Sequence, residues 1–267
     1  MDDLTREEVE RVAGHSLETL LGPLLSLGER LDSMFDRVLE AVADNPRPGA
    51  AAKVGLLLTN RVANDMRCCS ILSRRGYGIQ GLTLASSVFE VVGALAYVGY
   101  DEARATAWAT HRDTRHTYPH RVSDGFAAIA ELHPQSKEDV AGNLSDGYEY
   151  VCRAKHANPG AALLHGLQID AANEWAFAVG PDAQYLGASA SARALWYCAS
   201  LGAVAVNVSL GHCSADKTRR RLLSEAVAVD RDRLQLESWY LTVIQRTSNS
   251  HRGTREHNGQ APVDAPD

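Results

Sequence analysis

Apolar residues recur at helical spacing along most of this chain. Leu24, Leu27, Leu31, Met34, Val38 and Val42 follow one another at intervals of three or four, with charged residues between them. That spacing places them on one face of a helix and predicts an amphipathic element. Upstream, Thr5-Arg6-Glu7-Glu8 has the T-x-x-E form of a capping box, and Val9, Val12, Leu17, Leu20 and Leu21 continue the helical pattern. Gly22-Pro23 interrupts it, because proline lacks the amide a helix interior needs. The expectation is a helical hairpin over 1–45, closed by the loop Asn45-Pro46-Arg47-Pro48-Gly49.

The next helix spans about Ala50 to Arg74 and ends at Gly76-Tyr77-Gly78. Leu82–Gly99 is apolar on every side and predicts a buried central helix. Asp101 opens a short helix carrying Ala107, Trp108 and His111, and Phe126, Ile129 and Leu132 mark another. Ser136 and Asp139 start a helix with Val140, Leu144, Tyr148 and Val151 on one face, stopped by Asn158-Pro159-Gly160. Short apolar runs at Leu167–Ile169 and Trp175–Val179 predict a small β-hairpin near 165–180. Ser189 or Ser191 opens a long apolar helix reaching Cys213, and a last amphipathic helix covers 218–246. The polar stretch 247–267 is expected to be a disordered tail. The chain is thus expected to be all-α: one bundle-like domain over 1–246 with about seven helices.

Composition narrows the class. The chain has 267 residues, 45% hydrophobic and 22% charged, which excludes a fibrous or wholly disordered protein. A net charge of −6 gives no global attraction to nucleic acid or anionic lipid. Five cysteines, Cys68, Cys69, Cys152, Cys198 and Cys213, include no CxxC pair, and the charged N-terminus lacks the apolar run of a secretory signal. A cytoplasmic, reducing location is the expectation. Leu82–Gly99 and Ala194–Cys213 are long enough to raise the membrane question, but their Ala, Gly and Ser content favours buried soluble helices. No partner follows from the sequence beyond a homodimer as one option, and no cofactor or metal is implied.

Glu90 stands out as the single charge in its apolar helix. Because an unpaired buried charge is costly, it is expected to meet a partner, with Arg61, Arg67 or Arg153 as the candidates. The alternative is a cleft carboxylate acting as acid, base or ligand. A second cluster ends the helix near 155: Tyr148, Glu149, Tyr150, Cys152, Arg153, Lys155, His156 and Asn158. It is expected to lie within reach of Glu90. His156 reads first as a helix C-terminal cap; with Cys152 it has the spacing of half a metal site, which no second pair completes. Tyr150, Arg153 and Asn158 are candidate binding residues, and Glu90 and His156 candidate catalytic ones.

The Gly-rich turn and Glu90-bearing helix, followed by Tyr148-x-x-Val-Cys-x-x-x-His156 and Asn158-Pro159, resemble a widespread prokaryotic family of all-helical domains of unknown function. The likeness covers roughly 50–215. In that family an arginine usually precedes the glutamate, where this chain has Ser86 or Ser87. The resemblance implies an intracellular helical protein and carries no established activity. Separately, Arg115-His116 followed by His120 fits the R-polar-x(3–5)-H signature of HEPN-type ribonucleases, in which an arginine stabilises phosphate charge and a histidine acts at the ribose hydroxyl. RNA would be a partner only under that reading, and Pro119 inside the motif disturbs a helical presentation. The favoured function is an interaction or regulatory module.

Overall fold

The computed structural model describes residues 5–112, 120–155, 167–169, 175–177, 181 and 185–257, with side chains described over 5–112, 120–155, 181 and 187–247. The fold is all-α. Its helices are α1 (Arg6–Ala43), α2 (Ala50–Arg74), α3 (Gly78–Val98), α4 (Glu102–Thr110), α5 (Val122–Glu131), α6 (Lys137–Lys155), α7 (Tyr185–Leu210) and α8 (Asp216–His257). Leu167–Ile169 and Trp175–Phe177 pair antiparallel with Leu167 opposite Phe177. The turn between them lies outside the described residues, so these six positions do not establish the hairpin near 165–180 as a unit.

The N-terminal capping box forms as its sequence dictates, with the Thr5 hydroxyl and the Glu8 carboxylate each satisfying the other's backbone amide. The hairpin expected over 1–45 does not form: α1 is one helix and carries Pro23 inside it. An interior proline costs about 3 kcal/mol through its lost amide and its clash. Burial on both sides of it outweighs that cost. Leu17, Leu21, Leu24, Leu25, Leu27 and Leu31 form one continuous buried stripe across the proline. The last helix also departs from expectation, running through 247–257 to His257, where the sequence suggests a disordered tail. An established helix propagates cheaply, and no proline intervenes before Pro262. Residues 258–267 lie outside the described residues.

At the N-terminus of α2, Gly49 has no side chain to offer the free amides. Glu102 of α4 fills that role from outside, its Oε2 accepting from Ala50 N at 2.6 Å and Ala51 N at 3.3 Å. A carboxylate there also complements the positive end of the helix dipole.

The centre of the fold is α3, packed against α2, α5, α6 and α7. Leu82, Ala85, Val88, Phe89, Val92 and Leu95 are fully buried or nearly so. Among the described residues, α3 is the one helix long and apolar enough to cross a membrane by length and composition, and 67% of that stretch is buried inside the fold. Where α3 crosses α5, Gly93 faces Gly125: a Cβ on Gly125 would stand 2.7 Å from the Gly93 backbone, so the approach needs a glycine at 125. A second core joins Leu17, Leu21, Leu24 and Leu25 of α1 to Ala188, Ala192 and Leu195 of α7 and Tyr240, Val243 and Ile244 of α8.

Candidate functional site

The two long apolar helices each carry one charge. In α3 it is Glu90, and in α7 it is Arg193. Both meet tyrosines of α6, yet they do not meet each other.

On α6, Gly147, Val151 and Ala154 form the buried seam. Gly147 lets the helix come close, since a Cβ there would lie 3.0 Å from the Phe89 ring and 3.1 Å from the Tyr197 ring. Tyr148, Cys152 and Lys155 follow at i, i+4 and i+7 and share a face one position round from that seam. Tyr148 donates its hydroxyl to Glu90 Oε1 at 2.8 Å, and Lys155 Nζ donates to the same oxygen at 3.2 Å. The Glu90 side chain is 17% exposed and that of Lys155 42%. The aromatic surroundings are built by Phe89, which packs against Phe126, Tyr148 and Tyr197 with ring centroids 5.4 to 6.0 Å away. Burial raises the Tyr148 phenol well above its ordinary pKa; the bond to Glu90 adds to this, as does the neighbouring Cys152 thiol.

The partner of Glu90 is therefore a lysine and a tyrosine, not one of the three arginines the sequence suggested. Each of those is engaged elsewhere. Arg61 donates to Asp65 at 2.8 Å, Arg67 binds Asp32 and Asp36, and Arg153 pairs with Glu149 one turn earlier on α6. Ser87, one turn before Glu90 on α3, donates its hydroxyl to buried Asp65 at 2.8 Å. The expected proximity of Glu90 to the segment after Tyr150 is realised through Lys155.

Tyr150 presents its ring to the Arg193 guanidinium, 4.7 Å away. Burial raises the Tyr197 phenol, and the field of the nearby Arg193 guanidinium opposes that rise. Arg193 Nε is buried without a hydrogen-bond partner. Arg193 carries the same signal in the sequence as Glu90, a single charge in an otherwise apolar helix.

His120 stacks on Tyr97 with ring centroids 4.3 Å apart and planes 14° apart. Burial pulls its imidazole below the ordinary value. Arg115, His156 and Asn158 lie outside the described residues, as does His116. Among the described residues, no group of three His, Cys, Asp or Glu side chains could hold a metal. Comparison with known proteins adds nothing to these geometries. No family model, no curated protein and no solved structure matches the chain.

Proposed function

We propose that this protein is an intracellular helical module for interaction or regulation, with a small hairpin over 165–180 as an appendage, and that Glu90 serves its fold. The reading rests on one observation. The two donors on Glu90 Oε1, the Tyr148 hydroxyl and the Lys155 ammonium, belong to α6, so the carboxylate ties that helix to α3. A general acid or base needs a proton path to a substrate, whereas this carboxylate is engaged by its own chain. The ribonuclease reading has less support, because the His120 ring is committed to a stack on Tyr97. The likeness to helical domains of unknown function agrees with a module of this kind.

Thermal melting of wild type and Glu90→Gln, with and without a library of small ligands, tests the reading. A structural Glu90 gives a lower Tm for Glu90→Gln and the same ligand responses in both proteins. An unchanged or higher Tm, with a ligand response lost, would assign Glu90 to a site instead.

A further inference from the structure

One imidazole seals the turn between α7 and α8 against the rest of the fold. The backbone of the turn is tight: Gly211 N donates to Val208 O, His212 N to Ser209 O and Cys213 N to Leu210 O, at 3.0 to 3.2 Å. His212 is 7% exposed. Its ring lies on α2 at Gly55, where an added Cβ would stand 2.9 Å from Nε2 and 3.0 Å from Cδ2. It also leans on the Tyr100 ring, with centroids 4.9 Å apart. Tyr100 donates its hydroxyl to Val208 O at 2.9 Å, through space that a side chain at Gly211 would fill, and so ties the turn to the α3–α4 junction. Among the described residues, His212 Nε2 has no hydrogen-bond partner. A neutral imidazole can keep a bare lone pair there, whereas an imidazolium carries N–H at both nitrogens. That N–H would press on the α2 backbone with no acceptor. The neighbouring groups offer none. The Thr59 hydroxyl of α2 is engaged with Gly55 O and Ser209. Glu102 of α4 is the charged group whose field favours protonation, but its carboxylate is committed to the Ala50 and Ala51 amides. Arg219 of α8 acts on Tyr100, and buried Cys213 turns its Sγ toward Ala215 O. Burial outweighs the field of Glu102 and lowers the imidazole pKa.

We propose that His212 is an acid-released latch: when neutral it holds the α7–α8 turn on α2 and Tyr100, and when protonated it leaves that socket and opens the turn while the helical core stays folded. The chain beyond the latch is built to move as a unit. Between Cys213 and Leu222 no residue is buried, so Leu222 is the first anchor of α8. Beyond it, α8 packs chiefly on α7 and α1. Segments with few buried contacts open at a fraction of the global unfolding free energy. Lys217, Arg219, Arg220 and Arg221 ride on this segment and are exposed. Acidification therefore changes how a basic surface is presented. The latch uses none of the residues on which the reading of Glu90 rests, so the two stand or fall separately.

The test is hydrogen exchange of the full-length protein at about pH 7.5 and about pH 5, on either side of the ordinary histidine value. It is read at single amides by NMR and corrected for the intrinsic pH dependence of exchange. Protection at the Gly211, His212 and Cys213 amides is expected to fall at least about tenfold at the lower pH, the linkage expected of one pKa unit. Val92 and Leu95 in α3 keep their protection. The midpoint of the loss coincides with the titration of the His212 ring, followed by its own carbon-13 resonance. In His212→Phe, whose ring cannot ionise, the three amides stay protected at both pH values. Unchanged protection in the wild type overturns the proposal. A loss shared by Val92 and Leu95 overturns it too, because that is global unfolding. A loss that persists in His212→Phe assigns the opening to another group. Faster exchange at Ala50 and Ala51 with the turn still protected means that Glu102 swings to the imidazolium and the latch stays shut, which also overturns it. Should His212→Phe fail to fold, agreement or disagreement of the two wild-type midpoints decides.

Discussion

Tyr148 and Glu90 meet across the α3–α6 contact, 58 residues apart in sequence, through a 2.8 Å hydrogen bond from phenol to carboxylate. Lys155 reinforces it from two turns further along the same face of α6, but its side chain is 42% exposed and water screens its charge. A surface-type pair of this kind contributes about 0–1 kcal/mol. The phenol is thus the stronger contact. Tyr148→Phe removes the donor and leaves the carboxylate oxygen short of a partner, so urea unfolding is expected to show a loss of about 1–3 kcal/mol. Lys155→Met is expected to change stability by less than about 1 kcal/mol. The reverse ranking would mean that the ion pair, not the phenol, holds α6 down.

Packing at the same contact depends on Gly147. Adding a methyl there brings it to 3.0 Å from Phe89 and 3.1 Å from Tyr197, two rings wedged among other aromatics. Gly147→Ala is expected to destabilise by about 1–3 kcal/mol through overpacking, even though alanine is the better helix former. Chemical denaturation checks this, and a stabilised variant would show that α6 has room to shift.

At alkaline pH the tyrosines set the response. Burial raises Tyr148, with Glu90 adding to it, and burial raises Tyr240 as well. A folded-state pKa above the unfolded value gives a contribution that is complete below the unfolded pKa of about 10 and is lost as pH rises beyond it. Absorbance near 295 nm should therefore show these two phenols ionising only together with unfolding. Two normal titrations in the folded protein would contradict the placement of both rings.

The acid side rests partly on His212, buried beside Gly55 and tilted against Tyr100 with ring centroids 4.9 Å apart. Burial lowers its pKa, opposed by the field of Glu102. A depressed histidine contributes stability present above its unfolded value of about 6.5 and lost as pH falls below it. Tm is expected to drop between about pH 6.5 and 5, and His212→Gln to flatten that slope. His120, lowered by burial too, leaves a residual slope in the variant.

Much of this architecture is legible in the residue pattern, for physical reasons. The all-round apolar character of Leu82–Gly99 requires burial on every side, and α3 has it. Glu90 is conspicuous because a charge in such a helix demands a partner. The partner's identity is not legible, since it depends on which face of α6 turns toward α3, and three nearby arginines satisfy the same demand on paper. Pro23 misleads because local cost is judged without the tertiary burial of Leu17, Leu21, Leu24 and Leu27 that outweighs it. Arg193 is hidden by its position early in the apolar run, where it reads as a flank, although α7 begins at Tyr185 and encloses it. The external cap of α2 by Glu102 leaves no local signature, because Gly49 and Glu102 are distant in sequence.

The most direct measurement is a double-mutant cycle on Glu90→Gln and Tyr148→Phe, read by urea unfolding. If Glu90 serves the fold through Tyr148, each single variant is destabilised and the double variant loses less than their sum, with a coupling of about 1–2 kcal/mol. A Glu90→Gln protein as stable as wild type or more so, with zero coupling to Tyr148→Phe, would contradict the structural role and return Glu90 to the set of residues kept for a ligand.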